Sequence, residues 1–170
     1  MVAALELYVD PVASSRVRNL WDAMEADGIP SLRDLTHGRH RPHLSLIAAP
    51  QFDVAPVRAA IGDLDVAPAL PLSLDHIGVF PGRVLWLGPA PHRDLIDLQA
   101  AVHQRLAAAG IPLDPYYRPG VWVPHVTMSM RVPHKLMSEA IKLCMDVLPI
   151  DATIAGAAIA DHAREVYATW

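Results

Sequence analysis

Proline, histidine, an apolar residue, a hydroxyl residue and a second apolar residue occur in that order twice in this chain, as Pro42-His43-Leu44-Ser45-Leu46 and as Pro124-His125-Val126-Thr127-Met128. Successive side chains of an extended strand point to opposite faces, so His43 and Ser45 share one face while Leu44 and Leu46 share the other. His125 and Thr127 stand in the same relation to Val126 and Met128. Each segment is therefore expected as a strand with one apolar, buried face and one face that carries an imidazole beside a hydroxyl.

The surroundings of the two segments repeat as well. Leu5, Leu7 and Val9 alternate with Ala4, Glu6 and Tyr8, the pattern of a half-buried strand, and Asp10-Pro11 then supplies an N-cap and a proline suited to the first helical position. Val17, Leu20, Trp21 and Met24 form a helical stripe that ends at Gly28 and Pro30. Residues 31–40 read as a polar loop and 42–48 as the first histidine strand. A helix near 53–64 follows, with Asp53 as its cap and Val54, Val57, Ile61 and Leu64 along one side. Strands at 70–79 and 83–88 are joined through Pro81-Gly82. In the second half, Leu95, Leu98, Val102 and Leu106 predict a helix stopped by Gly110 and Pro112, and a long loop leads to the second histidine strand at 123–131. A helix from Pro133 turning Leu136, Ala140, Cys144 and Val147 inward, then strands at 150–159 and 164–170, complete the pattern. With Leu5 and Leu85 taken as equivalent, the two motif histidines follow at nearly equal separations. The expected fold is α+β: two pseudo-symmetric sheet-and-helix lobes, halves 1–80 and 81–170 of a single domain, forming a central cleft with the motifs on facing strands.

At 170 residues the chain is long enough for one substantial core and too short for several domains. Its net charge of −4 argues against wrapping long nucleic acid, which rests on neutralising many phosphates, but leaves room for a nucleotide or an RNA end. No run approaches the ~18 apolar residues of a membrane span. Met1 to Asp10 lacks the basic region of a secretory signal, and the single Cys144 excludes an internal disulfide, so a cytoplasmic protein is expected.

Two imidazoles with two hydroxyls suit displacement at phosphorus. One histidine removes a proton from water and the other protonates the departing oxygen, while Ser45 and Thr127 donate hydrogen bonds to the phosphoryl oxygens. The motifs are nearly symmetric, so their residues alone leave open which histidine is acid and which is base. Arg41 falls on the face of His43 and Ser45 if the strand extends back through Pro42, where it is a candidate phosphate ligand; Arg39 is a second. Tyr117, Arg118 and Trp122, in the loop before the second motif, are candidates for stacking on a base or sugar. The spacing His37-x-x-His40-x-x-His43 invites a metal reading, but Gly38 and Pro42 oppose the helix that would bring those rings together, and neither metal nor cofactor is expected. No Gly-x-Ser-x-Gly elbow, P-loop or dinucleotide fingerprint is present.

The duplicated His-x-Ser/Thr-x pattern resembles the two-histidine phosphoesterase superfamily, which includes RNA cyclic phosphodiesterases and the so-called 2′-5′ RNA ligases. The resemblance implies two lobes with the motifs facing a shared cleft. It also implies a metal-independent phosphodiesterase that opens a 2′,3′-cyclic phosphate in a nucleotide or at an RNA terminus, with His43 and His125 as the acid/base pair. Making or breaking 2′-5′ linkages is the alternative reaction within that family, and a non-catalytic RNA-end or nucleotide-binding module is the alternative outside enzymology.

Overall fold

The computed structural model describes residues 3–35, 40–161 and 163–170, with the side chain of Leu35 also outside the description. The chain runs β1 (Ala3–Val9), α1 (Pro11–Ala26), α2 (Leu32–Leu35), β2 (His43–Ala49), α3 (Val54–Ile61), β3 (Pro71–Phe80), β4 (Val84–Pro89), α4 (Arg93–Ala108), β5 (Val126–Ser129), α5 (Met137–Met145), β6 (Ile150–Asp161) and β7 (Val166–Thr169). Short 3₁₀ turns at Pro115–Tyr117 and His134–Leu136 precede β5 and α5. All strand pairs are antiparallel, in the order β1-β2-β5-β4-β3-β6-β7, and β6 pairs additionally with β1. The long β6 makes this possible, since Ile150–Thr153 lies against β3 and Ile154–Asp161 against β1. The architecture is the expected α+β, built on one antiparallel sheet.

Local chemistry explains most boundaries. Asp10 caps α1 by accepting from the amides of Val12 (2.9 Å) and Ala13 (3.0 Å), and its other oxygen accepts from Thr153 N (2.8 Å), which ties the helix start to β6. Burial pushes the Asp10 carboxyl up, but the amides of Ala13, Thr153 and Val12 outweigh it and hold the group below the usual carboxylate range. The stripe Val17, Leu20, Trp21 and Met24 is buried as its spacing requires. Each such side chain contributes roughly 1.5–3 kcal/mol by leaving water. Gly28, at φ +73°, takes the left-handed conformation that follows the helix.

Several elements depart from the expected bounds. Helix α3 ends at Ile61 rather than 64 because Gly62 leaves helical space at φ +63°. Asp53 makes no cap bond there; its carboxylate accepts from Arg164 at 3.2 Å instead. The region read as a polar loop contains α2, whose Arg33 amide donates to Ser31 Oγ at 3.0 Å, while Leu32 packs into the core. Pro133 begins a 3₁₀ turn, and α5 starts only at Met137. Strand β5 is shorter than expected because the amides of Val121 and Trp122 both turn back on Arg118 O at 3.1 Å, so the chain reaches Pro124 as a loop. Strand β1, central between β2 and β6, is buried along its whole length and not on one face only. Among the described residues no helix is long and apolar enough to cross a membrane.

Candidate active site

The two motif strands are neighbours in the sheet, joined antiparallel through Leu44 and Val126. Leu44, Leu46, Val126 and Met128 sit in the core, while His43, Ser45, His125 and Thr127 line a cleft of about 610 Å³ on the opposite face. Each motif strand has an outer partner in the same relation to it. Leu5 of β1 lies opposite Ile47 and Glu6 opposite Ser45; Leu85 of β4 lies opposite Ser129 and Trp86 opposite Thr127. One residue is therefore skipped on each motif strand, Leu46 and Met128, which makes a bulge directly after each hydroxyl residue. Bulges bend a strand and re-aim its side chains.

Indole groups secure both strands at the bulges. Trp122 Nε1–H donates to Ser45 O at 3.1 Å, and Trp21 Nε1–H donates to Thr127 O at 3.3 Å. Tyr117 is half-buried beside the motif, and burial raises its ionisation, opposed by Ser45 and reinforced by Asp114 and Glu6.

The histidines are oriented alike. His43 Nδ1 lies 2.7 Å from Arg41 O and His125 Nδ1 lies 2.7 Å from Val123 O. A carbonyl only accepts, so Nδ1 carries a proton in each ring and Nε2 is left for chemistry. The motif prolines contribute to this arrangement. A residue before proline is held extended, so Pro42 and Pro124 fix the peptide segments from which the two carbonyls project.

Beyond that symmetry the surroundings differ. His43 Nε2 lies 3.5 Å from Glu6 Oε1, and Glu6 Oε2 accepts from the Tyr8 hydroxyl at 2.7 Å. Burial first, then the Glu6 charge, raise the Tyr8 ionisation, so the phenol stays protonated and donating. His40 stacks on His43 with ring centroids 5.7 Å apart. His125 instead meets Phe80 edge-on, centroids 4.9 Å apart, and Trp86 at 6.0 Å. Burial lowers the His125 pKa, the Val123 carbonyl opposes this, and the nearby His43 lowers it further. Gly78 and Gly88 make room for Trp86. A Cβ on Gly78 would fall 1.9 Å from Trp86 Cζ2, and one on Gly88 would fall 2.8 Å from Cζ3.

The remaining sequence candidates occupy varied places. Trp122 and Tyr117 line the cleft, and Trp122 also holds Ser45. Arg41 is outside the lining: its guanidinium sits 4.1 Å over the Tyr8 ring and its Nη1 donates to Tyr167 Oη at 3.1 Å. Arg118 is exposed and also outside the lining, and Arg39, with His37, lies outside the described residues. Sequence reasoning missed Glu6, Tyr8, Phe80 and Trp86, and raised His40 only in the metal reading. A signal existed for Glu6 and Tyr8, because the alternation in β1 places them on one face with Ala4. For Phe80 and Trp86 the signal was Gly78 and Gly88 flanking a tryptophan in a hairpin, which marks a close approach.

A family model described as the 2′-5′ RNA ligase superfamily matches residues 10–165. Among curated proteins none matches by sequence. Among solved structures, a crystal structure of a phosphoesterase is similar at 19% identity and TM-score 0.62, covering 99% of this chain and 93% of that one. E. coli LigT in apo form is similar at 16% identity and TM-score 0.65, covering 100% of this chain and 93% of that one. E. coli LigT complexed with 3′-AMP is similar at 16% identity and TM-score 0.64, with the same coverage of both chains.

Proposed function

Because the chain belongs to the 2′-5′ RNA ligase superfamily, we propose that it is a metal-independent phosphodiesterase hydrolysing the 2′,3′-cyclic phosphate of a nucleotide or RNA terminus, with His43 and His125 as acid and base. One observation carries this reading. Two imidazoles share one cleft, each with Nδ1 engaged by the carbonyl two residues before it, so each offers Nε2 beside a hydroxyl side chain.

A cyclic phosphodiester between the rings needs one proton removed from water and one delivered to the ribose oxygen that leaves. Imidazole suits both steps because its ordinary pKa of about 6.5 makes both protonation states accessible near neutrality. Ser45 and Thr127 donate to the non-bridging oxygens, whose charge grows in the transition state. The cleft volume of about 610 Å³ suits a mononucleotide or terminal nucleotide. Tyr116 and Val121 at its rim, with Phe80, offer apolar surface for a base or sugar. The likeness in fold to E. coli LigT, crystallised with 3′-AMP, supports a nucleotide ligand.

The test is turnover of the four nucleoside 2′,3′-cyclic monophosphates in excess EDTA, with products identified by phosphorus NMR. Conversion to a single phosphomonoester regioisomer is expected. Activity abolished by EDTA and restored by a divalent cation contradicts metal independence, and tight binding without turnover favours a binding module.

A further inference from the structure

We infer that Glu6 is a positioning residue that makes His43 the proton donor of the pair, leaving His125 to take the proton of the attacking water; this rests on the phosphodiesterase reading above. Glu6 sits in the middle of β1, opposite Ser45, and is 3% exposed. A carboxylate so buried is costly unless paired. Its Oε2 is engaged by the Tyr8 hydroxyl at 2.7 Å, which directs Oε1 toward His43 Nε2 at 3.5 Å. Nδ1 of that ring already faces the Arg41 carbonyl, so both ring nitrogens of His43 look onto groups that only accept. A proton on Nε2 therefore faces the Glu6 carboxylate, and at 3.5 Å, beyond a tight hydrogen bond, it can pass to a substrate oxygen in the cleft.

His125 has the opposite setting. Its neighbours are the rings of Phe80, perpendicular to it, and Trp86, tilted against it, with no carboxylate among its ring contacts in the described residues. Burial there lowers its pKa, with the charge of His43 adding to the effect, which suits a neutral base. Among the described residues, the groups that bear on His43 are Glu6 and Tyr8 from β1, His40 and Arg41 before β2, and His125 just before β5.

The step balances as follows. A water oxygen attacks phosphorus while His125 Nε2 accepts one of its protons. The bond from phosphorus to the leaving ribose oxygen breaks, and that oxygen receives the His43 Nε2 proton. One water is consumed, and one phosphomonoester and one free hydroxyl form. The proton gained by His125 and lost by His43 is then re-equilibrated through solvent.

The experiment compares wild type, Glu6→Gln, Tyr8→Phe, His43→Ala and His125→Ala on two substrates. One is a nucleoside 2′,3′-cyclic phosphate; the other is a 2′-deoxynucleoside 3′-(p-nitrophenyl phosphate), whose nitrophenolate leaves without needing a proton. Circular dichroism checks that each variant is folded. On the cyclic substrate Glu6→Gln is expected to lose roughly 10- to 100-fold in kcat, part of the ~10²–10⁴ that acid catalysis supplies, and Tyr8→Phe a smaller factor. On the nitrophenyl ester the losses in Glu6→Gln and His43→Ala shrink, while that in His125→Ala persists. Glu6→Gln also moves the alkaline limb of the kcat profile on the cyclic substrate to lower pH, because the donor has lost its anion. Undiminished activity of Glu6→Gln on the cyclic substrate, an unmoved alkaline limb, or rescue of His125→Ala instead of His43→Ala overturns the assignment. A wild-type protein inert toward both substrates overturns the phosphodiesterase reading itself.

Discussion

Replacing Gly78 by alanine puts a methyl carbon where the Trp86 indole lies, 1.9 Å from Cζ2 and 2.3 Å from Cε2 and Cη2. Ordinary carbon contacts begin near 3.5 Å, so the clash is short by roughly 1.5 Å. The indole has little room to retreat: Phe80 lies 5.0 Å from it and His125 6.0 Å, centroid to centroid. Overpacking of a rigid ring against backbone belongs at the upper end of the ~1–3 kcal/mol range for such substitutions. In a chain of this size that corresponds to a fall in Tm of roughly 4–12 °C. Trp86→Leu empties the contested space, so Gly78→Ala/Trp86→Leu should be destabilised by at least ~1 kcal/mol less than the sum of the single variants. Urea unfolding with constant slope measures all three stabilities, and kcat follows the displaced wall of His125. Strict additivity, or a Gly78→Ala protein within ~0.5 kcal/mol of the parent, refutes the reasoning.

Asp10→Ala removes the α1 cap and the tie to Thr153, and should cost about 1–2 kcal/mol in urea unfolding. Because the folded Asp10 pKa is lowered, its contribution is present above the ordinary carboxylate pKa of about 3.8 and is lost as pH falls through the folded value, so the wild-type advantage over Asp10→Ala should fade on acidification. Trp122→Phe leaves Ser45 O without its indole donor, costing about 1–3 kcal/mol of stability and lowering kcat through Ser45; Trp21→Phe does the same at Thr127, and unaltered stability in both removes the role given to the indoles. His125 as base must be neutral, and its lowered folded pKa keeps it so to more acidic pH than an ordinary imidazole. The acid limb of kcat/KM should therefore lie below about pH 6.5, and the stability it contributes is present above about pH 6.5 and lost as pH falls toward the folded value.

What the sequence made legible was local. The period-two alternation at the motifs identified strands β2 and β5 and separated Leu44 and Leu46 from His43 and Ser45. The Asp10-Pro11 cap with the stripe from Val17 to Met24 identified α1 almost to the residue. What it hid depends on partners far along the chain. Glu6 reads as a solvent-facing position until β6, about 150 positions later, pairs with β1 and closes the sheet around it. Trp86 drew no notice in the sequence, and its place shows only once Gly78 and Gly88 are seen beneath its ring. Trp122 read as a stacking surface, yet its indole N–H is committed to Ser45 O because the bulge at Leu46 interrupts the ladder there. Asp53 had the right place and type for a cap, and Arg164 from the chain's end competes for it. Strand β5 was overestimated because the turn onto Arg118 O leaves no simple periodic mark.

The central claim is that two histidines act as one acid/base unit on a phosphodiester. The most direct measurement is kcat for the wild type, His43→Ala, His125→Ala and the double variant on a nucleoside 2′,3′-cyclic phosphate, with folding checked for each. The account predicts a loss of at least ~10²-fold in each single variant and a double variant whose loss falls well short of the product of the two, as groups acting in one step require. A single variant that retains wild-type turnover, or losses that multiply as for independent sites, contradicts it.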